Sequence, residues 1–242
     1  MNILRLDKYL YFFFNILIKK IKTRKVSYSF GGIDSLINYI FKDTPRGIYV
    51  DVGCHHPILN NNTYLLYKKG WNGINVDLDK KNIELFNYAR NKDTNINIAA
   101  SDAKKEADLY FYHNKSTINT IDKKTSDYQK ASVKEIRKIN ADKLENIINN
   151  SPHNNKVIDF LSIDVEGHEL EVLKGLNFKK YKPKVIVVEY LDLTAKKLEI
   201  KNLNINNVLT SELYLFIVNN GYTLVNCLHS DLVFINNNFR DK

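Results

Sequence analysis

The chain has 242 residues, which fits one large α/β domain or a domain of about 200 residues with short extensions. Hydrophobic residues make up 44% and charged residues 26%, a globular balance that excludes a disordered or fibrous chain. The charge is 36 Lys and Arg against 27 Asp and Glu, or +9, and it attracts phosphates, nucleic acid and anionic membranes without choosing among them.

The lysines are spread from Lys19 to Lys242, and no segment interleaves basic and aromatic residues as a nucleic-acid platform does. The only cysteines, Cys54 and Cys227, form neither a disulfide framework nor a metal-type spacing, so a reducing compartment and hence the cytoplasm is expected.

Residues 1–30 read as an N-terminal helical extension and residues 31–242 as the main domain. The apolar run Tyr9 to Ile18 is too short to span a bilayer, and the basic residues Lys19, Lys20, Lys22, Arg24 and Lys25 follow it. That order of charge and the lack of a cleavage site argue against a signal peptide. Two placements fit: docking on the domain, which is the one expected, or residues 9–25 resting on an anionic membrane, at its inner face.

From Gly47 onward short apolar runs alternate with amphipathic stretches, the pattern of a parallel sheet wrapped by helices. Strands are expected at 48–51, 73–77, 95–100, 159–164 and 185–189, an extra short strand at 107–112, and a closing hairpin from 222–227 and 232–235. Helices are expected around 64–69, 82–90, 141–149, 168–174 and 211–219. Residues 113–156 are rich in Asn, Lys and Ser and read as a loop-rich insertion that could cover a site as a lid.

Ligands of open α/β sheets bind beyond the C-terminal strand edge. Asp51 ends the first strand and Gly53 follows where the chain must turn close to a ligand. Asp77 ends the second strand, 24 residues after Gly53, where a carboxylate can accept from both ribose hydroxyls. Asp102 follows the third strand, placed to take an adenine amine. Leu78 and Ser101 flank these acids, and Asn62 and Thr63 follow the glycine turn, so all four join the expected cofactor contacts.

A dinucleotide fingerprint wants three glycines around a pyrophosphate, and this turn has one, followed by His55, His56 and Pro57. A cofactor without phosphates fits better, and S-adenosylmethionine is such a cofactor. The densest reactive cluster is Asp164-Val-Glu-Gly-His168 beyond the fourth strand. If 164–166 are extended, Asp164 and Glu166 face one way. With His55, His56 and Glu189, which ends the fifth strand, they are the candidate catalytic groups. His56, Asp164 and Glu166 are a candidate set for Mg²⁺ or Mn²⁺, which would lower an acceptor hydroxyl's pKa. Each acid has an ordinary alternative as a helix cap.

The stretches Tyr49-Val-Asp-Val-Gly-Cys-His-His-Pro57, Asn62-Thr-Tyr64, Gly70-Trp-Asn-Gly73, Ser162 to Glu169 and Val187-Val-Glu189 together resemble the FkbM methyltransferases. That family usually has Ala where Cys54 stands, an acid followed by Pro at Asp77-Leu78, and a Ser-Gln-Phe-Gly-Glu-Asp stretch met here only loosely as Ser29 to Asp34. The resemblance implies a Rossmann-like class I methyltransferase fold, a mainly parallel seven-stranded sheet with a C-terminal antiparallel hairpin. It also implies S-adenosylmethionine-dependent O-methylation of a sugar, glycan or phosphate-linked hydroxyl, expected here in cell-surface polysaccharide biosynthesis. A nucleic-acid methyltransferase is the enzymatic alternative, disfavoured by the acidic 164–167 loop, which repels phosphate backbone. A non-catalytic scaffold is the other, and it has no reason to keep Asp51, Gly53, Asp77 and Asp164.

Overall fold

The computed structural model describes residues 3–23, 25–113, 116–129, 131–195 and 203–240. Arg24, one of the basic residues after the apolar run, lies outside them. The chain opens with a continuous helical run: α1 (Ile3–Phe12), a wider π-helical stretch (Phe13–Ile18) and α2 (Lys19–Lys22). A 3₁₀ turn (Phe30–Gly32) leads into α3 (Ile33–Ile40).

The first half of the body then runs β1 (Ile48–Val52), α4 (Tyr64–Lys68), β2 (Asn72–Asp77), α5 (Lys80–Ala89), β3 (Thr94–Asn97), β4 (Ala99–Ser101) and β5 (Lys105–Phe111). It continues through α6 (Lys123–Tyr128), β6 (Glu135–Lys143), α7 (Leu144–Asn149), β7 (Phe160–Ile163), α8 (Glu169–Lys174) and β8 (Val185–Glu189). It closes with α9 (Ile205–Thr210), α10 (Glu212–Asn219), β9 (Tyr222–Leu228), β10 (Asp231–Asn236) and α11 (Asn237–Arg240).

The main sheet has seven strands in the order β3-β2-β1-β7-β8-β10-β9, with β10 antiparallel to both of its neighbours. This is the expected Rossmann-like sheet with its terminal hairpin. Winding reverses between β1 and β7, so the switch point where such sheets bind ligands lies at the C-terminal ends of those two strands. Period-two alternation splits the core between the faces. Val50, Val52, Ile74, Val76, Leu161, Ile163, Ile186 and Val188 bury toward one, and Tyr49, Phe160, Val185, Val187 and Val233 toward the other, under α3 and Trp71.

A small second sheet, β4-β6-β5, departs from the sequence expectation. The expected third strand divides: after Asn97 the chain leaves β2, and β4 pairs with β6 instead. Within 113–156, strand β6 occupies residues read as loop, and the helix expected from 141 begins at Leu144. Most of β6 is exposed on both faces, so it carries no hydrophobic alternation to read. Cross-strand contacts support it, with Lys138 Nζ 2.6 Å from Asp108 Oδ1 and Arg137 stacked over Phe111.

The expected docking of the N-terminal helix is not found. None of the large apolar side chains from Leu6 to Ile21 is buried. Among the described residues no helix is long and apolar enough to cross a membrane.

Candidate active site

A cleft opens at the switch point, walled by the strand ends Val52-Gly53, Val76-Asp77, Asp164 and Glu189. Residues Ser116 to Ile121 of the inserted segment form one further wall and the β9–β10 turn another. Of the expected site residues, Gly53, His55, Asn62, Asp77, Leu78, Asp164, Glu166 and Glu189 line it.

The first-strand corner explains the single glycine. Gly53 has φ +77°, and a Cβ there would lie 1.7 Å from the Asp164 carbonyl oxygen. The N–H groups of Gly53 and Cys54 donate to the Val76 carbonyl at 2.9 and 3.2 Å, and that of His55 donates to Asp77 Oδ2 at 2.8 Å. The turn therefore offers no bare N–H row, and the next helix starts only at Tyr64. A pyrophosphate needs both. A cofactor lacking phosphate fits this corner.

Asp77 is buried and its carboxyl also accepts from Asp79 N (2.7 Å) and Asn82 Nδ2 (3.2 Å). Three of its roughly four acceptor positions are thus used, leaving one toward the cleft rather than a pair for both ribose hydroxyls. Burial pushes its pKa up to about 6, moderated by those N–H donors. The adjoining slot is apolar, lined by Leu78, Ile98, Ala99 and Ile121.

Five expected contacts lie off the cleft. Asp51 is buried behind it, accepting from Asn61 Nδ2 (3.1 Å) and Thr63 Oγ1 (2.8 Å). Thr63 also accepts from Arg90 (2.9 Å), whose buried guanidinium pairs with Asp93 and sits among the rings of Tyr49, Tyr67 and Phe86. This core knot holds the segment after β1. Asp102 turns outward to Lys105 (2.8 Å), because β4 has left the main sheet. Ser101 points to His168 Nε2 (2.9 Å), tying β4 to the loop after β7. His56 accepts with Nδ1 from Ile58 N and Leu59 N, which stabilises the turn there and takes it out of the expected metal set.

The reactive cluster forms, though not through an extended 164–166. Glu166 has φ +56° and Gly167 φ +97°, and this bend brings Glu166 back over Asp164. The bend is pinned by Glu169 Oε1, which accepts from Val165 N and Gly167 N at 3.0 Å, and by Thr120 Oγ1, which donates to the Glu166 carbonyl at 2.7 Å. The N-cap of α8 is His168, so Asp164 is not spent on capping.

Single carboxylate oxygens of Asp164, Glu166 and Glu189 lie within 4.8 Å of one another. Asp164 is open to the cleft yet ringed by protein, and burial raises its pKa against the opposing effects of Glu189 and His55. Burial and the neighbouring Asp164 and Glu169 push Glu166 to about 9, and burial with the same acids holds Glu189 well above the carboxylate range. Glu189 Oε1 accepts from Ser230 Oγ at 3.1 Å, and its buried Oε2 lacks a donor, which together with the facing Asp164 carboxylate favours the protonated acid. Glu189 therefore keeps a proton and Asp164 is the ionised partner. Burial also lifts Glu169 to about 7, and Asp231, with Asp164 facing it, to about 7.

Several lining residues carried no sequence signal. Asp231 and Ser230 arrive on the hairpin turn, at the start of an antiparallel strand rather than the end of a parallel one. Phe30 reaches the rim because Asp34 gathers Ser27 Oγ, Tyr28 N and Ser29 Oγ (2.6–3.0 Å); its ring stands edge-on to His229, centroids 5.0 Å apart. The loose Ser29–Asp34 match was the one available hint.

The methyltransferase FkbM domain matches residues 51–224, well over half of the chain. No curated protein matches it significantly. Among solved structures, the chain is similar to a TehB-like SAM-dependent methyltransferase from Corynebacterium glutamicum, at 12% identity, covering 97% of this chain and 100% of that one with a TM-score of 0.42. It is also similar to the 16S rRNA methylase ArmA, at 12% identity, covering 84% of this chain and 80% of that one with a TM-score of 0.35. The family match, the switch-point cleft and its phosphate-free corner agree: the chain belongs to the FkbM methyltransferases, whose expected cofactor is S-adenosylmethionine.

Proposed function

We propose that the chain transfers a methyl group to a hydroxyl of a sugar or glycan, in the cytoplasm, as a step of cell-surface polysaccharide biosynthesis. The observation that carries this reading is the acid cluster Asp164, Glu166 and Glu189, with Asp231 beside it, at one end of the cleft. Asp164, the ionised member, gives a neutral hydroxyl a group to take its proton and sets a negative charge against phosphate, which disfavours both a phosphate-linked acceptor and nucleic acid. The ring of Phe30 and the imidazole of His229 offer the apolar face of a sugar a platform. Both cysteines are free, in keeping with a reducing compartment.

Bound S-adenosylmethionine would supply an activated methyl group. Asp77 would hold the ribose and the apolar slot at Leu78 and Ile98 the adenine. Asp164, kept ionised by the protonated Glu189, would take the proton of the acceptor hydroxyl, whose oxygen would gain the methyl carbon while the sulfonium S–C bond breaks and S-adenosylhomocysteine leaves. The oxygens of Asp164, Glu166 and Glu189 would also suit Mg²⁺ or Mn²⁺, which would lower the hydroxyl's pKa; Glu189 replaces His56 in that set. Calorimetric titration with Mn²⁺ checks this, since E189Q abolishes any binding that uses the three carboxylates.

The test is transfer of labelled methyl from S-adenosylmethionine into fractionated cell glycans, lipids and RNA, with D164N alongside. Alkali-stable label in the glycan fraction, reduced about 100-fold by D164N while S-adenosylhomocysteine still binds, supports the reading. Label in RNA, or label released by mild alkali, overturns it.

A further inference from the structure

We infer that the N-terminal helix, from Ile3 to Lys22, rests on an anionic membrane surface and holds the cleft beside it. From Leu6 to Ile21 ten large apolar side chains are exposed, from 45% at Phe12 to 71% at Tyr9. Ten consecutive residues, Tyr9 to Ile18, hold only one polar side chain, Asn15, and at about 100° per residue they surround the helix axis. A helix apolar all round is stable where something covers it. The chain's own core does not: no residue of the π-helical stretch or of α2 is buried.

The charge names the cover. From Lys8 to Ile33 inclusive there are six basic residues and no acid. Lys19, Lys20, Lys22 and Lys25 crowd the end of the apolar run, as for a helix lying at the boundary of headgroups and acyl chains with its basic end on anionic lipid. A ten-residue apolar run is too short to cross. A second copy packed in parallel would set these lysines against one another, so parallel self-association is the poorer fit.

The helix is close to the chemistry in sequence. Phe30, at the rim of the cleft, follows Lys22 by eight residues, which span at most about 28 Å when extended. A helix held in the interface therefore keeps the mouth of the cleft within reach of an acceptor carried at that surface.

Co-sedimentation of the full chain with vesicles tests this, using phosphatidylcholine alone or with one part in three phosphatidylglycerol. Binding to the anionic vesicles is expected, weakened more than a hundredfold by K19Q/K20Q/K22Q/K25Q, at about fivefold per lysine. F13E/L17E is expected to abolish it. Unchanged binding of S-adenosylhomocysteine shows that both variants are folded. A chain that stays in the supernatant with both vesicle types overturns the inference. So does equal binding to neutral vesicles, or a dimer that F13E/L17E dissolves in the absence of lipid.

Discussion

Replacing Gly53 by Ala puts a methyl group where the β1 and β7 corners touch. The added Cβ would meet the Asp164 carbonyl oxygen at 1.7 Å, so the two corners must part by at least about 1.3 Å to reach even the 3.0 Å that real contacts respect. The left-handed backbone at φ +77° costs an alanine about 1–2 kcal/mol. Parting the corners also loosens Gly53 N–H to Val76 O and Asp164 N–H to Val52 O, both 2.9 Å, at about 1 kcal/mol each. The expected loss is about 3–4 kcal/mol, or a fall of about 1 M or more in the urea midpoint. Because the moving carbonyl belongs to Asp164, affinity for S-adenosylhomocysteine should fall in the same variant. A G53A protein within about 0.3 M of the parent midpoint and with parental affinity would refute the close-approach argument.

Stability should fall as pH rises from about 5 to 9. Glu166 (about 9), Glu169 (about 7) and Asp231 (about 7) have folded pKa values above those of the unfolded chain, so the folded state binds more protons, and the contribution present in acid is lost as they ionise. Tm measured across that window checks it, and a rising Tm would contradict it. D77A should weaken S-adenosylhomocysteine binding by about 30-fold, the size of one hydrogen bond to a charged acceptor, as read by calorimetry; parental affinity would remove Asp77 from the site. R90M should cost about 3–5 kcal/mol, because Asp93 and Asp51 stay buried without their cation. Chemical denaturation reads that loss, and a variant as stable as the parent would show that the knot does not hold the segment after β1.

The fold was legible because its strands are buried on both faces and therefore apolar throughout, as in Phe160–Ile163 and Val185–Glu189. Strand β6 was not, since its register is set by pairing with β5 and not by burial. Asp77, Asp164 and Glu189, picked out as strand ends, do line the cleft, whereas Asp51 and Thr63 lie behind it, where nothing local announces that Arg90 draws both into the core. Asp231 carried no such sign, because an antiparallel strand brings its first residue, not its last, to the ligand edge. Asp102 lies off the cleft for a topological reason: within two residues of Asn97 the chain has joined the second sheet.

Five described residues other than glycine have a left-handed backbone, and four of them, His55, Asn60, Glu166 and His229, line the cleft. Each would sit more comfortably as glycine, by roughly 1 kcal/mol. Converting all four should thus yield a sturdier protein and a poorer catalyst, so directed evolution for heat resistance without an activity screen would drift toward glycine at these positions. A library selected for folding alone would mark the active site by what it discards.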